Sequence, residues 1–197
     1  MVGFSRGFGG RRREQDARLP PGQYLTEDFP VLSAGPTPQV DLADWEFRIV
    51  PEVGEPLVWN WDEFTGLPAE DVETDIHCVT RWSKLGTTWR GVSLDVLFED
   101  VETSLDFAMA FSYGGYTTNV PLDDLLDGKA WVAYEFEGEP LAPEHGGPAR
   151  LLVPHLYFWK SAKWVRGLAL QPHDDPGFWE QNGYHLHGDP WTEERYW

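Results

Sequence analysis

The chain has 197 residues, and its 41% hydrophobic and 15% aromatic content is enough for one domain with a real core. Its net charge of −18, from 33 acidic against 15 basic residues, repels phosphate and so excludes nucleic acid and anionic membrane surfaces as partners. The single cysteine excludes an internal disulfide, and no apolar run approaches the roughly 20 residues that span a bilayer.

The N-terminal residues form no regular pattern. Residues 1–44 are rich in Gly, Arg and Pro, which predicts an extended arm, with residues 1–24 as its flexible part. Arg11, Arg12 and Arg13 suggest a twin-arginine export signal, but the acidic and Pro-rich stretch that follows lacks the hydrophobic segment such a signal needs. We therefore expect a cytoplasmic protein. The acidic, lysine-poor composition favours a halophilic, high-salt cytosol over an ordinary acidic surface.

Apolar spacing predicts an α+β domain in residues 25–172, dominated by strands with short helices. Alternating apolar residues predict strands at 45–50, 72–78, 105–111, 132–136, 151–153 and 164–170. Helical spacing predicts a helix over 94–101 with Ser93 as its N-cap, and a second one over 121–127 that Gly128 ends. Residues 173–197 are aromatic and irregular, and we expect them to pack on this domain as a tail.

Cys78 is the first candidate for chemistry. A lone cysteine is usually a small buried hydrophobe. Here three basic residues, His77, Arg81 and Lys84, lie close to it in an otherwise acidic chain. Nearby cations stabilise a thiolate, which is the form that binds soft metals.

A second candidate runs from His145 to Lys163 and contains half of the chain's four lysines. Gly146 and Gly147 would allow close approach of a ligand to the backbone. Arg150, Ser161 and Lys163 could hold a phosphate by charge-assisted hydrogen bonds, although solvated charges on a turn would give the same pattern.

Both candidates belong to a series of ordered motifs: Cys78-Val79-x-x-Trp82-Ser83, Gly91-Val92-Ser93-Leu94, Pro140-Leu141, Gly147-Pro148-x-Arg150, Val153-Pro154 and Lys160-Ser161-x-Lys163-Trp164-Val165. In this order they resemble the molybdopterin-binding domain of the sulfite oxidase family, and especially its small single-domain members. The chain is similar also to the catalytic subunit of the bacterial methionine sulfoxide reductase. The resemblance covers residues 25–170.

The resemblance implies a sulfite-oxidase-type fold, a molybdenum–molybdopterin (Mo-MPT) cofactor and a role for each matching residue. Cys78 matches the metal ligand, and Arg81 stands where it could replace a substrate-binding arginine. The residues that match cofactor contacts are Asp28, Phe29, Ser112, His145, Arg150, Ser161, Ala162 and Lys163.

The expected activity is oxygen-atom transfer or two-electron redox chemistry on a small oxyanion or sulfoxide. Its partners would be that small molecule and a protein that donates or accepts electrons. Two other interpretations are a cofactor-free interaction module on the same fold and a carbohydrate-binding domain that uses the eleven tryptophans. His173, His185 and His187 could suggest a metal site, because His185 and His187 lie on one face of an extended chain. Without a third ligand for that pair, we predict solvated tail histidines.

Overall fold

The computed structural model describes residues 17–197 as two β-sheets with short helices between their strands. The predicted flexible arm therefore lies mostly outside the described residues, as do Arg11, Arg12 and Arg13. The strands are β1 Tyr24–Leu25, β2 Glu46–Val50, β3 Leu57–Asn60, β4 Ala69–His77, β5 Trp82–Ser93, β6 Phe107–Ser112, β7 Thr117–Pro121, β8 Trp131–Phe136, β9 Glu139–Pro140, β10 Arg150–Leu152 and β11 Val165–Gln171. The α-helices are α1 Trp61–Thr65, α2 Leu94–Leu97 and α3 Phe178–Gln181, and single 3₁₀ turns lie at Leu122–Asp124, Pro143–His145 and Phe158–Lys160.

The first sheet is built around the long strand β5. It pairs antiparallel with β4 and β8, and its first residues pair parallel with β1. The strands β9 and β10 then pair with β8. Cys78 follows directly on the last residue of β4, so the β4–β5 hairpin carries it at the edge of this sheet.

The second sheet has the order β3-β2-β11-β6-β7. Its pairs are antiparallel except for β2 and β11, which run parallel. One core cluster, with Phe47, Leu94, Val132 and Leu168 among its members, packs residues of both sheets together. A second cluster gathers Cys78, Trp82, Trp89, Phe158 and Trp159, and this cluster borders the site.

The fold class predicted from the sequence is confirmed: the molecule is strand-rich and its helices are short. All six predicted strands are present, with bounds that differ by a few residues. The predicted helix over 94–101 is a single turn that ends with Phe98 as its C-cap, and the predicted helix over 121–127 is a 3₁₀ turn at Leu122–Asp124. None of the helices formed by residues 17–197 has the length and apolar character that crossing a membrane requires.

The segment after β11 is less irregular than predicted. It contains α3, and a bridge between Tyr184 and Tyr196 closes its last turn. Its anchor is Glu180, which forms an ion pair with Lys160 at 2.7 Å although both side chains are fully buried. The Glu180 carboxylate also accepts hydrogen bonds from Thr118 and Trp159, so this segment is fixed to β7 and to the turn at Phe158–Lys160.

His173 is exposed, as predicted for the tail histidines, but His185 and His187 contact carboxylates, which corrects the prediction for these two. His187 lies between two carboxylates, with its ring nitrogens 3.1 Å from Asp124 and 3.0 Å from Glu194. His155 contacts the same Asp124, and His185 lies 3.4 Å from Glu194. Within residues 17–197, no group of His, Cys, Asp and Glu is arranged to hold a metal ion.

Candidate active site

A cavity of about 540 Å³ lies between the second core cluster, the segment at residues 29–38 and helix α3. Aromatic rings form much of its wall. It is lined by Cys78, Val79, Thr80, Trp82, Tyr116, Arg150, Phe158, Trp159, Ser161, Lys163, Trp164, Phe178, Trp179 and Tyr184, together with residues of the 29–38 segment and the turn at Gly114 and Gly115.

Cys78 contributes the thiol of this cavity. Its side chain is buried, and its Sγ lies 3.2 Å from the hydroxyl of Thr80. Burial raises the pKa of the Cys78 thiol, while Thr80 and the nearby Arg195 oppose that rise. Burial makes a free thiolate unfavourable here. A soft metal ion that takes the place of the thiol proton would neutralise that charge, so this side chain suits a metal ligand.

The three cations expected to activate Cys78 do not do so, which corrects that prediction. The ring of His77 is buried against Ser83, and burial lowers its pKa, so that the neutral form is favoured. Lys84 donates to the carbonyl of Glu27. Arg81 is exposed and does not line the cavity. Its proposed catalytic role stays a prediction, and the cation that acts on the thiol is instead Arg195.

Arg150 is a buried cation whose nearest partners are neutral. Its guanidinium donates to the carbonyls of His145 at 2.8 Å and Ser161 at 2.6 Å, and it lies 4.0 Å from the centre of the Phe158 ring. Burial lowers its pKa to about 9. No carboxylate among residues 17–197 forms an ion pair with it, so an anion in the cavity would satisfy its charge.

Lys163 is the second cation of the cavity. Its ammonium donates to the carbonyls of Leu32 at 2.8 Å and Glu144 at 2.7 Å. Burial, and then the positive charge of Arg150, lowers its pKa to about 8. A Cβ added at Gly146 would lie 3.1 Å from atoms of both Arg150 and Lys163, so this glycine lets the two basic residues approach each other.

Five of the ten residues predicted from the sequence line the cavity: Phe29, Cys78, Arg150, Ser161 and Lys163. The other five do not line it: Asp28, Arg81, Ser112, His145 and Ala162. Two of these support its wall. His145 stacks on Phe29 with ring centres 3.9 Å apart, and the backbone of Ser112 is hydrogen-bonded across the turn that ends at Tyr116.

Three polar atoms in or beside the cavity are buried and lack a hydrogen-bond partner among residues 17–197: the hydroxyl of Ser112, the Nδ1 of His145 and the indole Nε1 of Trp82, which lines the cavity. Buried polar groups of this kind are normally satisfied, so their orphaned state suits a polar ligand. With a buried thiol and two cations that no carboxylate among residues 17–197 neutralises, the residues that line the cavity fit a cofactor that combines a soft metal with a phosphate.

The buried thiol and the two basic side chains of this cavity suit an enzyme that binds a metal cofactor with an anionic group. The model of the family called oxidoreductase molybdopterin binding domain matches residues 34–179. This chain belongs to that family, and it is a molybdopterin-dependent oxidoreductase.

Relatives of known sequence agree. The chain is 42% identical over 189 residues to an uncharacterized oxidoreductase, YuiH, of Bacillus subtilis (strain 168), covering 94% of this chain and 96% of that one. It is 26% identical over 179 residues to a putative protein-methionine-sulfoxide reductase subunit, YedZ1, of Azospira oryzae, covering 88% and 68% of the two chains. The sulfane dehydrogenase SoxCD of Paracoccus pantotrophus has the same fold, with a TM-score of 0.64 at 21% identity over 75% of this chain and 42% of that one.

Several residues of the site were missed from the sequence. Gln23 and Arg195 contact the loop at residues 78–82, which contains Cys78. Tyr116 lines the cavity, and the C-terminal segment contributes Trp179 and Tyr184 to its wall. One signal was present for Arg195: it is the only Lys or Arg after Arg166 in the sequence. A single cation in an acidic, aromatic segment is a candidate for a buried role.

The tryptophans do not form a sugar-binding surface. Trp45 and Trp89 are fully buried, and others line the cavity. Trp191 and Trp197 are the most exposed of the eleven, at 50% and 71%. The aromatic richness of this sequence therefore mainly builds the core and the cavity wall.

Proposed function

We propose that the substrate is a small sulfur compound that carries an oxygen atom, and that an uncharged sulfoxide fits this site better than an oxyanion such as sulfite. The observation that carries this proposal is the charge of the cavity wall. Among residues 17–197, Arg150 and Lys163 are the only charged side chains that line it. If both hold the phosphate of the cofactor, no cation in the wall remains to bind a second anion.

In this proposal Cys78 holds molybdenum, while Arg150, Lys163 and Ser161 hold the pterin phosphate. The bound cofactor supplies a centre that exchanges one oxygen atom and two electrons with a substrate. The reaction converts a sulfoxide, two electrons and two protons into a thioether and water. An electron-carrying protein would supply the electrons, and cytoplasmic location remains part of the proposal.

The chain's own residues give the site its selectivity. The wall near Cys78 includes the side chains of Val79, Trp82, Trp179 and Tyr184, which are apolar or aromatic. Such a wall excludes water and binds the apolar substituents of a sulfoxide by burial. The hydroxyl of Thr80, 3.2 Å from Sγ of Cys78, is a hydrogen-bonding group available beside the thiol.

The proposal is tested with protein purified from a host that makes molybdopterin. Turnover would be measured with a sulfoxide and a reduced dye as electron donor, and separately with sulfite and an artificial electron acceptor. We expect kcat/KM for the sulfoxide to exceed that for sulfite by at least about tenfold. Rapid sulfite oxidation without sulfoxide reduction would refute the preference. Metal analysis showing neither molybdenum nor tungsten would refute the cofactor assignment for this chain.

A further inference from the structure

The loop at residues 78–82, the Cys78 loop, has an unusual backbone. Its turn is closed by hydrogen bonds between Cys78 and Arg81 and between Cys78 and Trp82. Arg81 has a φ of 81°, which is in the left-handed region that non-glycine residues rarely adopt. Such a conformation persists where the surrounding structure fixes it.

Gln23 contacts this loop from the N-terminal side. Its amide nitrogen lies 3.0 Å from the carbonyl oxygens of both Cys78 and Trp82, and 3.1 Å from the hydroxyl of Ser83. These atoms flank the two ends of the loop. Gln23 is itself buried, so the contacts exchange little with water.

Arg195 contacts the same loop from the C-terminal segment. One guanidinium nitrogen donates to the carbonyl oxygen of Val79 at 2.8 Å, and the other donates to the side-chain oxygen of Gln23 at 2.9 Å. The guanidinium also lies 4.8 Å from the centre of the Tyr157 ring. The side chain is buried, and charge-assisted bonds of this kind are stronger than neutral ones.

We propose that Gln23 and Arg195 form a clamp that positions the Cys78 loop, so that Sγ of Cys78 is held toward the metal. Both are positioning residues, because their contacts with the loop are to backbone atoms and to Ser83. Residues that hydrogen-bond to the segment carrying a metal ligand fix the orientation of that ligand. They thereby affect the affinity and the redox potential of the metal. The clamp itself is independent of the cofactor, while its effect on the metal rests on the proposed ligand role of Cys78.

The first test measures the loop without cofactor. Amide hydrogen exchange of the Cys78 loop would be followed in Arg195→Met and in Gln23→Met, with Arg90→Met as the matched control. Arg90 is a surface arginine whose ion pair with Asp71 is exposed. We expect the amides of Cys78 and Arg81 to exchange about tenfold faster in either clamp variant, as when one hydrogen bond to the closed loop is lost.

The exchange pattern decides whether the clamp is local. In the clamp variants the amides of β11 should keep their parent rates, and in Arg90→Met the loop should keep its parent rate. Unchanged loop exchange in both clamp variants would overturn the proposal. An equal acceleration in β11 would also overturn it, because it would mean general loosening of the fold. If Arg195→Met fails to fold, Gln23→Met and the conservative Arg195→Lys carry the test.

The second test uses protein loaded with cofactor and compared at equal molybdenum content. The thiolate-to-metal absorption should shift in Arg195→Met and Gln23→Met and return toward the parent in Arg195→Lys. Faster loop exchange with an unchanged spectrum would overturn the link between clamp and metal. If the spectrum is also unchanged in Cys78→Ser, the failure lies instead in the ligand role of Cys78, so the two failures are distinguishable.

Discussion

Two lysines three positions apart in one motif have different surroundings. Lys160 is fully buried and bonded to Glu180 and Asn119, whereas Lys163 lines the cavity and its ammonium donates to backbone carbonyls. Both belong to the same sequence motif, in which Lys163 was the lysine predicted to hold a phosphate. Because Glu180 already neutralises the charge of Lys160, Lys163 is the one of the two whose ammonium is available to an anion in the cavity.

This difference predicts that the same substitution lowers fold stability at one position and cofactor retention at the other. Lys160→Met should destabilise the fold by about 3–5 kcal/mol, because it leaves the carboxylate of Glu180 buried without its partner. Lys163→Met should leave the free energy of unfolding nearly unchanged but lower cofactor retention about tenfold, the loss of one charge-assisted contact. Denaturant melts and pterin content of both variants check this. Equal stability of the two variants would contradict it.

The pKa of Lys163 adds a pH dependence to the same contact. Because burial lowers this pKa to about 8, the ammonium is protonated below that pH and loses its proton above it. We therefore expect apo-protein to bind a phosphate-bearing pterin more weakly as pH rises through about 8. Binding titrations of the parent and of Lys163→Met between pH 6.5 and 9.5 measure this. A variant with the same pH profile as the parent would assign the dependence to another group.

Replacement of Cys78 by serine tests its proposed ligand role. The substitution keeps the volume of the side chain but exchanges a soft sulfur for a harder oxygen. We expect the fold to survive and the pterin to remain bound through Arg150 and Lys163. The thiolate-to-metal absorption should vanish and turnover should collapse. A spectrum and turnover equal to the parent, at the same molybdenum content, would remove Cys78 from the site.

At the scale of elements, the sequence predicts strands whose apolar residues alternate, and it misses the long strand β5. β2 alternates cleanly because one of its faces is buried. The twelve residues of β5 include Gly86 and Gly91 and polar residues that face the core, so no alternation is visible. Thr87, for example, is buried, and its hydroxyl bonds the Thr74 carbonyl and receives the Trp89 indole N–H.

The site was predictable where a motif carries it and hidden where only tertiary packing creates it. Cys78, Arg150, Ser161 and Lys163 are in ordered motifs and line the cavity. Gln23, Tyr116 and Arg195 are not part of any sequence motif. Each forms hydrogen bonds with backbone carbonyls that are distant in the sequence. The exposure of Arg81 depends on a left-handed turn, and neighbouring residues in the sequence do not reveal that geometry.

The C-terminal segment is attached through a histidine whose charge depends on pH. Hydrogen bonding to Asp124 raises the pKa of His187 to about 9, and Glu194 adds to the effect. A group whose pKa is raised on folding stabilises the folded state most below its unfolded value of about 6.5. That stabilisation is lost as pH rises from about 6.5 through about 9.

We therefore predict that His187→Gln lowers stability at pH 6 by no more than about 1 kcal/mol, since the side chain is 41% exposed and solvent screens its ion pairs. At pH 9.5 the variant and the parent should be nearly equal. Denaturant unfolding at both pH values measures the difference. A difference that is the same at pH 6 and pH 9.5 would show that the charge of His187 is not its cause.

At the scale of the whole molecule, the dominant property is a net charge of −18. Like charges at this density destabilise a compact chain, and dissolved salt screens them. If the acidic composition reflects a high-salt cytosol, as the sequence predicts, the melting temperature should rise from low salt to molar KCl. Melts in sucrose at matched water activity would control for osmotic effects. An equal or lower melting temperature in KCl would refute the adaptation.

The Gln23–Arg195 hydrogen bond joins residues 172 positions apart. Contacts of such long range carry a large loop-closure entropy, which makes them slow to form. The β4–β5 hairpin that carries Cys78 is local by comparison and should form early. We therefore expect folding to leave the wall behind Cys78 open until its last stage. A cofactor could then enter an almost complete domain, and closure of the two ends would retain it kinetically.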